Sequence, residues 1–201
     1  MPENTEPEDA GPRRALDERL AATAAGEGEP EAEGLALLDR ERWAEAAEVL
    51  EEALGRAERG AERGAEGGAE GGAERGRDRH AVLRARLDLA RALTGTGDLD
   101  RAIGLLGPLP DEFAALPEPD EGSRARALSS LGTAYLRARR PVAATNFFGQ
   151  ALEIYRRLGA VDRQAAMFAH IAEAARLRGD DAAERAARAR AAELQEALPA
   201  E

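Results

Sequence analysis

From Ala127 to Gly159 the chain alternates apolar and polar positions in a helical rhythm. Leu128, Leu131, Gly132 and Tyr135 fall at i, i+3, i+4 and i+7, which is one face of a helix. A polar stretch from Arg137 to Arg140 interrupts the pattern. Pro141 then opens a second helix, where its missing N–H costs nothing. Ala144, Phe147, Phe148, Ala151, Leu152 and Tyr155 make the apolar stripe of that helix, and Gly159 ends it. Gly132 costs about 1 kcal/mol relative to alanine inside a helix, so a close helix–helix contact is expected there. Phe147, Phe148, Tyr155 and the later Phe168 lie on buried phases and are expected to be core.

The same phase returns on both sides. Forty residues further on come Phe168, Ile171, Ala172 and Ala175. Upstream come Leu89, Ala90 and Leu93, then the turn Gly97-Asp98, then Ala102 and Leu106. Earlier still come Gly34 and Leu37, with Trp43 opening a second helix along Ala46, Leu50 and Ala53. Gly97-Asp98 and Gly179-Asp180 occupy the same phase, each with a glycine to end one helix and an aspartate to cap the next. In the second window Gly104, Gly107, Pro108 and Pro110 must end or kink the second helix early. The last helix, rich in Ala, Arg and Glu and with Glu184 where a small residue is expected, suits a terminal cap with a polar outer face.

Leu128, Leu131, Gly132 and Tyr135, followed by Ala144, Phe148 and Ala151, resemble the tetratricopeptide repeat, W-x2-L-G-x2-Y then A-x3-F and a later small residue. Leu128 stands in the tryptophan position. The long spacing is similar to the variant of this repeat found in bacterial regulators and kinesin light chains. The likeness covers residues 80–195 and, less completely, 30–56. It implies an all-α fold, an α-α superhelix forming a right-handed solenoid of about four hairpins. It also implies protein–protein interaction along a concave groove lined by the first helix of each hairpin.

Carried over residue by residue, the groove positions are Arg84, Asp88, Arg91, Arg126, Ser130, Thr133, Arg137, His170, Glu173 and Arg176, together with Leu87, Ser129 and Leu136. Arginine dominates this set, which points to an acidic or C-terminal peptide held by Arg–carboxylate pairs. The alternative is that these arginines pair with neighbours such as Asp88 and Glu173 at helical spacing. The carboxylate-clamp form of the repeat does not fit, because only Arg126 replaces a member of its ligand set.

Four segments are expected: an acidic disordered tail over 1–29, a first hairpin over 30–56, a low-complexity linker over 57–79, and the main array over 80–197. The tail contains ALDERLAATAA (15–25), which is too short to be stable as an isolated helix. The linker contains five tandem copies of A-E-[RG]-G. Its glycines oppose helix formation, and a long insertion of this kind costs little.

Composition narrows the chemistry. There is no cysteine and no lysine, which removes disulfides, thiolate catalysis, Schiff bases and a Walker-type phosphate loop. The net charge of −11 is uneven. Residues 1–79 hold 22 acidic and 11 basic side chains, whereas residues 80–201 hold 17 of each. Neither half has the basic excess of a nucleic-acid binder. The acidic tail is a candidate occupant of the arginine-lined groove. No apolar run is long enough to span a membrane, and the start lacks the apolar core of a signal peptide, so a cytoplasmic location is expected. His170 and Glu173 form a possible acid–base pair without a nucleophile or metal-ligand cluster beside them. The expectation is therefore a non-catalytic scaffold that binds a protein or peptide and needs no cofactor or metal. The alternative is self-association through the Ala-rich C-terminal helices.

Overall fold

A computed structural model describes residues 30–66 and 72–198. Among them are nine helices: α1 (Pro30–Asp39), α2 (Trp43–Glu66), α3 (Gly72–Thr96), α4 (Leu99–Leu106), α5 (Leu109–Ala114), α6 (Glu121–Arg137), α7 (Pro141–Arg157), α8 (Val161–Leu177) and α9 (Asp181–Glu196). The tail over 1–29, with its expected short helix, lies outside the described residues.

The helices pair as consecutive hairpins, α1 with α2, α3 with α4 and α5, α6 with α7, and α8 with α9. First helices also touch one another in order, α1 with α3, α3 with α6 and α6 with α8, while second helices make no comparable contacts among themselves. One layer is thus tighter than the other. An array built this way curves, with its first helices on the inner, concave side.

The core runs along the array as three clusters. Leu37, Leu38, Val49 and Leu50 pack with Leu89, Ala92 and Leu93, so the first hairpin shares a core with the second. Leu83, Leu87 and Leu106 meet Leu109, Phe113 and Leu131. Leu128, Phe148 and Tyr155 meet Met167 and Ala174. Tyr135 and Phe147 stack with their centroids 5.3 Å apart and border the last two clusters. Phe148 is fully buried and Tyr155 nearly so, as the apolar phase requires.

The prolines act as expected. The second helix of the second hairpin stops at Leu106, and a separate turn of helix, α5, starts after Pro108. That break turns Leu109, Phe113 and Leu116 into the core.

The A-E-[RG]-G segment departs from expectation. Helix α2 continues past residue 56 to Glu66, and α3 begins at Gly72 rather than near 80. Residues 67–71 lie outside the described residues. Ala, Glu and Arg favour helix, and the extension is braced across the hairpin by Arg86 on Glu58 at 3.2 Å. Within α2, Arg56 pairs with Glu52 one turn away. Exposed pairs of this kind contribute at most about 1 kcal/mol each, so they offset only part of the glycine cost.

Each hairpin turn carries one residue of positive φ at the same place: Glu41 (56°), Gly97 (92°), Arg139 (58°) and Gly179 (72°). The next residue starts the second helix, and in two cases it is an aspartate capping the helix. Asp98 accepts from the Arg101 N–H and Asp180 from the Ala183 N–H. A side chain with Cβ is strained in this region, typically by 1–2 kcal/mol. Arg139→Gly is therefore expected to raise stability by up to about 1 kcal/mol. A urea titration checks this, and a lowered midpoint would show that the Arg139 side chain contributes more than its strain costs.

Candidate peptide groove

Helices α3, α6 and α8 present their inner faces side by side, with α2 and α7 behind. Arg91, Thr94 and Gly95 from α3 meet Arg126, Ser129, Ser130, Thr133 and Arg137 from α6 around one open cavity of about 380 Å³. Trp43 closes one side, and Tyr155 and Arg163 close another. Five positions of the expected set, Arg91, Arg126, Ser130, Thr133 and Arg137, are brought together here, with Ser129 beside them.

Asp88 organises the arginines from below. It is 1% exposed, and its Oδ1 accepts from Arg91 Nη1 at 3.0 Å and Arg126 Nη2 at 3.2 Å. It joins two neighbouring first helices and does not present itself to solvent. Arg137 donates to the Gly95 carbonyl at 3.2 Å, another link between α6 and α3. Gly95 lies so close to Trp43 that an added Cβ would sit 2.2 Å from the indole, which fixes that ring against the rim. Tyr155 reaches the cavity from α7. Burial pushes its hydroxyl pKa up, with Arg163 and Arg126 opposing, so it stays protonated at neutral pH.

Other expected positions lie elsewhere. Arg84 faces the first hairpin, 3.6 Å from Glu31. Glu173 and Arg176 line a separate polar cavity between α8 and α9 with Arg188 and Gln195. Leu87 and Leu136 are buried in the core, because the crossing of the helices turns their face inward. His170 is also a correction to the groove set, since it stacks on Phe148 with centroids 5.0 Å apart. Burial pushes its imidazole below the usual 6.5, and Glu173 partly opposes this.

That shift has a pH consequence. The unfolded chain takes up this proton at about pH 6.5 and the folded chain only at lower pH. The stability associated with neutral His170 is therefore present above that value and lost as pH falls through it. Urea midpoints should decline as the pH falls below about 6.5 and through the lower folded-state pKa, and the decline should shrink in His170→Phe, which keeps the ring stack. An identical decline in that variant would assign the effect to another group.

Trp43, Thr94, Gly95, Tyr155 and Arg163 were not foreseen as groove residues. Trp43 and Tyr155 come from second helices, where Trp43 was read as opening its helix and Tyr155 as core. A second cleft, about 920 Å³, lies between the start of α3, the 116–120 loop and Leu158. In its lining, His80 Nε2 lies 2.7 Å from Asp120 Oδ2, and Glu121 pairs with Arg124 and Arg157. Among the described residues no three His, Asp or Glu side chains gather as a metal site would require, and no helix is long and apolar enough to cross a membrane.

The fold is a solenoid of helical hairpins with a concave inner face. Residues 124–158 match the tetratricopeptide-repeat family. The matched segment is the α6–α7 hairpin, where the sequence pattern is strongest. In three dimensions the chain is similar to a putative kinesin light chain from Podosopora anserina with nearly identical TPR-like repeats, at 18% identity and a TM-score of 0.58, covering 90% of this chain and 84% of that one. It is also similar to BtubC (BKLC) from P. vanneervenii, at 20% identity and a TM-score of 0.55, covering 74% of this chain. The chain spans 58% of that structure's length. At these identities the likeness is one of fold. No curated protein matches the sequence.

Proposed function

We propose that the protein is a non-catalytic interaction module that holds an acidic segment of a protein partner along its concave face. The observation that carries this reading is the convergence of Arg91, Arg126, Arg137 and Arg163 on one open cavity, with only Asp88 and Asp162 paired against them. Arginine forks on helices are held in place and match carboxylate geometry. The repeat fold supports a scaffold role in general, and the charge of the cavity supports an acidic ligand. A cytoplasmic setting goes with this reading.

Self-association has less behind it. The outer face of α9 exposes alanine and arginine, and among the described residues the exposed large apolar side chains are Val142, Leu158 and Leu198, well separated along the chain.

The test is affinity capture with the full chain, compared with an Arg137→Gln/Arg163→Gln double variant. Charge-assisted hydrogen bonds contribute about 1.5–3 kcal/mol each, so a groove partner should bind at least about tenfold more weakly to the variant. A partner held equally by both would move binding to another face. Recovery of the chain alone would favour self-association.

A further inference from the structure

The cavity is selective in a way that the groove as a whole is not. Four guanidinium groups line it. Two carboxylates behind the wall pair with them, Asp88 with Arg91 and Arg126 and Asp162 with Arg163 at 3.3 Å, which leaves two positive charges uncompensated at the wall. A single peptide carboxylate supplies one negative charge and two oxygens. A run of carboxylates supplies more, but only when spread along an extended groove. This cavity, about 380 Å³, is at the small end of ligand sites. The most compact match to that surplus is one group that carries about two negative charges.

A phosphate monoester meets that requirement, carrying roughly −1.5 to −2 charges at neutral pH on three acceptor oxygens. Its tetrahedral oxygens can take forks from different directions, and here the forks come from three helices, α3, α6 and α8. Asp88 holds two of the arginines in place before the ligand arrives. Ser129 and Ser130 add hydroxyls at the wall, and Tyr155 adds a protonated one.

We propose that this cavity recognises a phosphorylated serine or threonine side chain in the partner segment. The proposal rests on the groove reading above and names its anchor.

Trp43 is the only tryptophan in the chain and lines the cavity, so its fluorescence reports occupancy directly. The experiment titrates the full chain with Ala/Gly peptides that differ at one position, carrying phosphothreonine, threonine or glutamate, and with a triglutamate peptide. Calorimetry supplies the affinities. The phosphothreonine peptide is expected to bind at least about tenfold more tightly than the glutamate peptide, and the threonine peptide to give no response. Arg137→Gln and Arg163→Gln should each weaken it about fivefold or more, while Arg190→Gln on α9 should not. The Arg163 side chain is 63% exposed, so its replacement leaves the fold intact, which a thermal melt confirms.

If glutamate or triglutamate binds as tightly as the phosphopeptide, the phosphate proposal is overturned while the acidic-groove reading stands. Phosphopeptide binding that survives both arginine substitutions overturns it by placing the site elsewhere. The absence of any phosphopeptide response up to millimolar concentration also overturns it, and the capture experiment then decides the groove reading independently.

Discussion

Phe148→Ala is expected to lower stability by about 3–5 kcal/mol. The ring is 0% exposed and sits at the centre of the cluster that joins the third and fourth hairpins. On one side it touches the backbone of Gly132, where an added Cβ would lie 2.5 Å from the ring. On another it stacks on His170. Removing it leaves a void between helices α6, α7 and α8 that rigid helices do not close. In a solenoid each hairpin leans only on its neighbours, so the damage stays at this junction and the denaturation curve should broaden as the last hairpin loosens first.

The mirror change tests the same contact. Gly132→Ala gains about 1 kcal/mol of helix propensity but overpacks the site, which typically costs 1–3 kcal/mol. Combining the two changes should cost less than their sum, because the new methyl enters the void left by the ring. Urea midpoints of the single and double variants measure this. A loss below about 1 kcal/mol for Phe148→Ala would mean that the junction relaxes freely, contrary to the packing described.

The hairpins were legible because their marks are local. A stripe at helical spacing, a proline at the first position of α7 and a Gly-Asp turn each report on a few adjacent residues. What the sequence hid depends on how helices cross. Leu87 and Leu136 share the groove phase of their helices, yet neighbouring helices cover them. His170 has the same phase but meets Phe148 of the preceding hairpin. Positive φ at Glu41 and Arg139 left no trace, since neither residue type advertises that conformation, whereas Gly97 and Gly179 did. Helix in the A-E-[RG]-G segment is braced by the partner helix of the hairpin, through Arg86 and Glu58, whereas local propensity was divided between helix-favouring Ala and Glu and opposing glycines. The arginine character of the groove was readable from composition and phase. The cavity itself was not, because Trp43, Tyr155 and Arg163 reach it from three different helices.

Arg91→Ala/Arg126→Ala is expected to cost about 3–5 kcal/mol, because it leaves the Asp88 carboxylate buried with no cation beside it. Each single substitution should cost much less, since one guanidinium still reaches Oδ1 and both arginines are more than a third exposed. Adding Asp88→Asn to the double variant removes the stranded charge and keeps an acceptor of the same shape, so it should recover more than half of the loss. Thermal or urea melts of the single, double and triple variants form the cycle that isolates this term. A double variant as stable as the parent would show that Asp88 is reached by water. The outcome also determines how binding data on this groove are to be interpreted. Arg91 and Arg126 bind a carboxylate of the protein itself, so a ligand lost on replacing them reports a disturbed floor as much as a missing contact. Arg137 bonds only a backbone carbonyl, and Arg163 pairs with an exposed neighbour. Their replacement removes charge from the cavity without stranding a buried group, and it is on those two positions that the identity of the ligand turns.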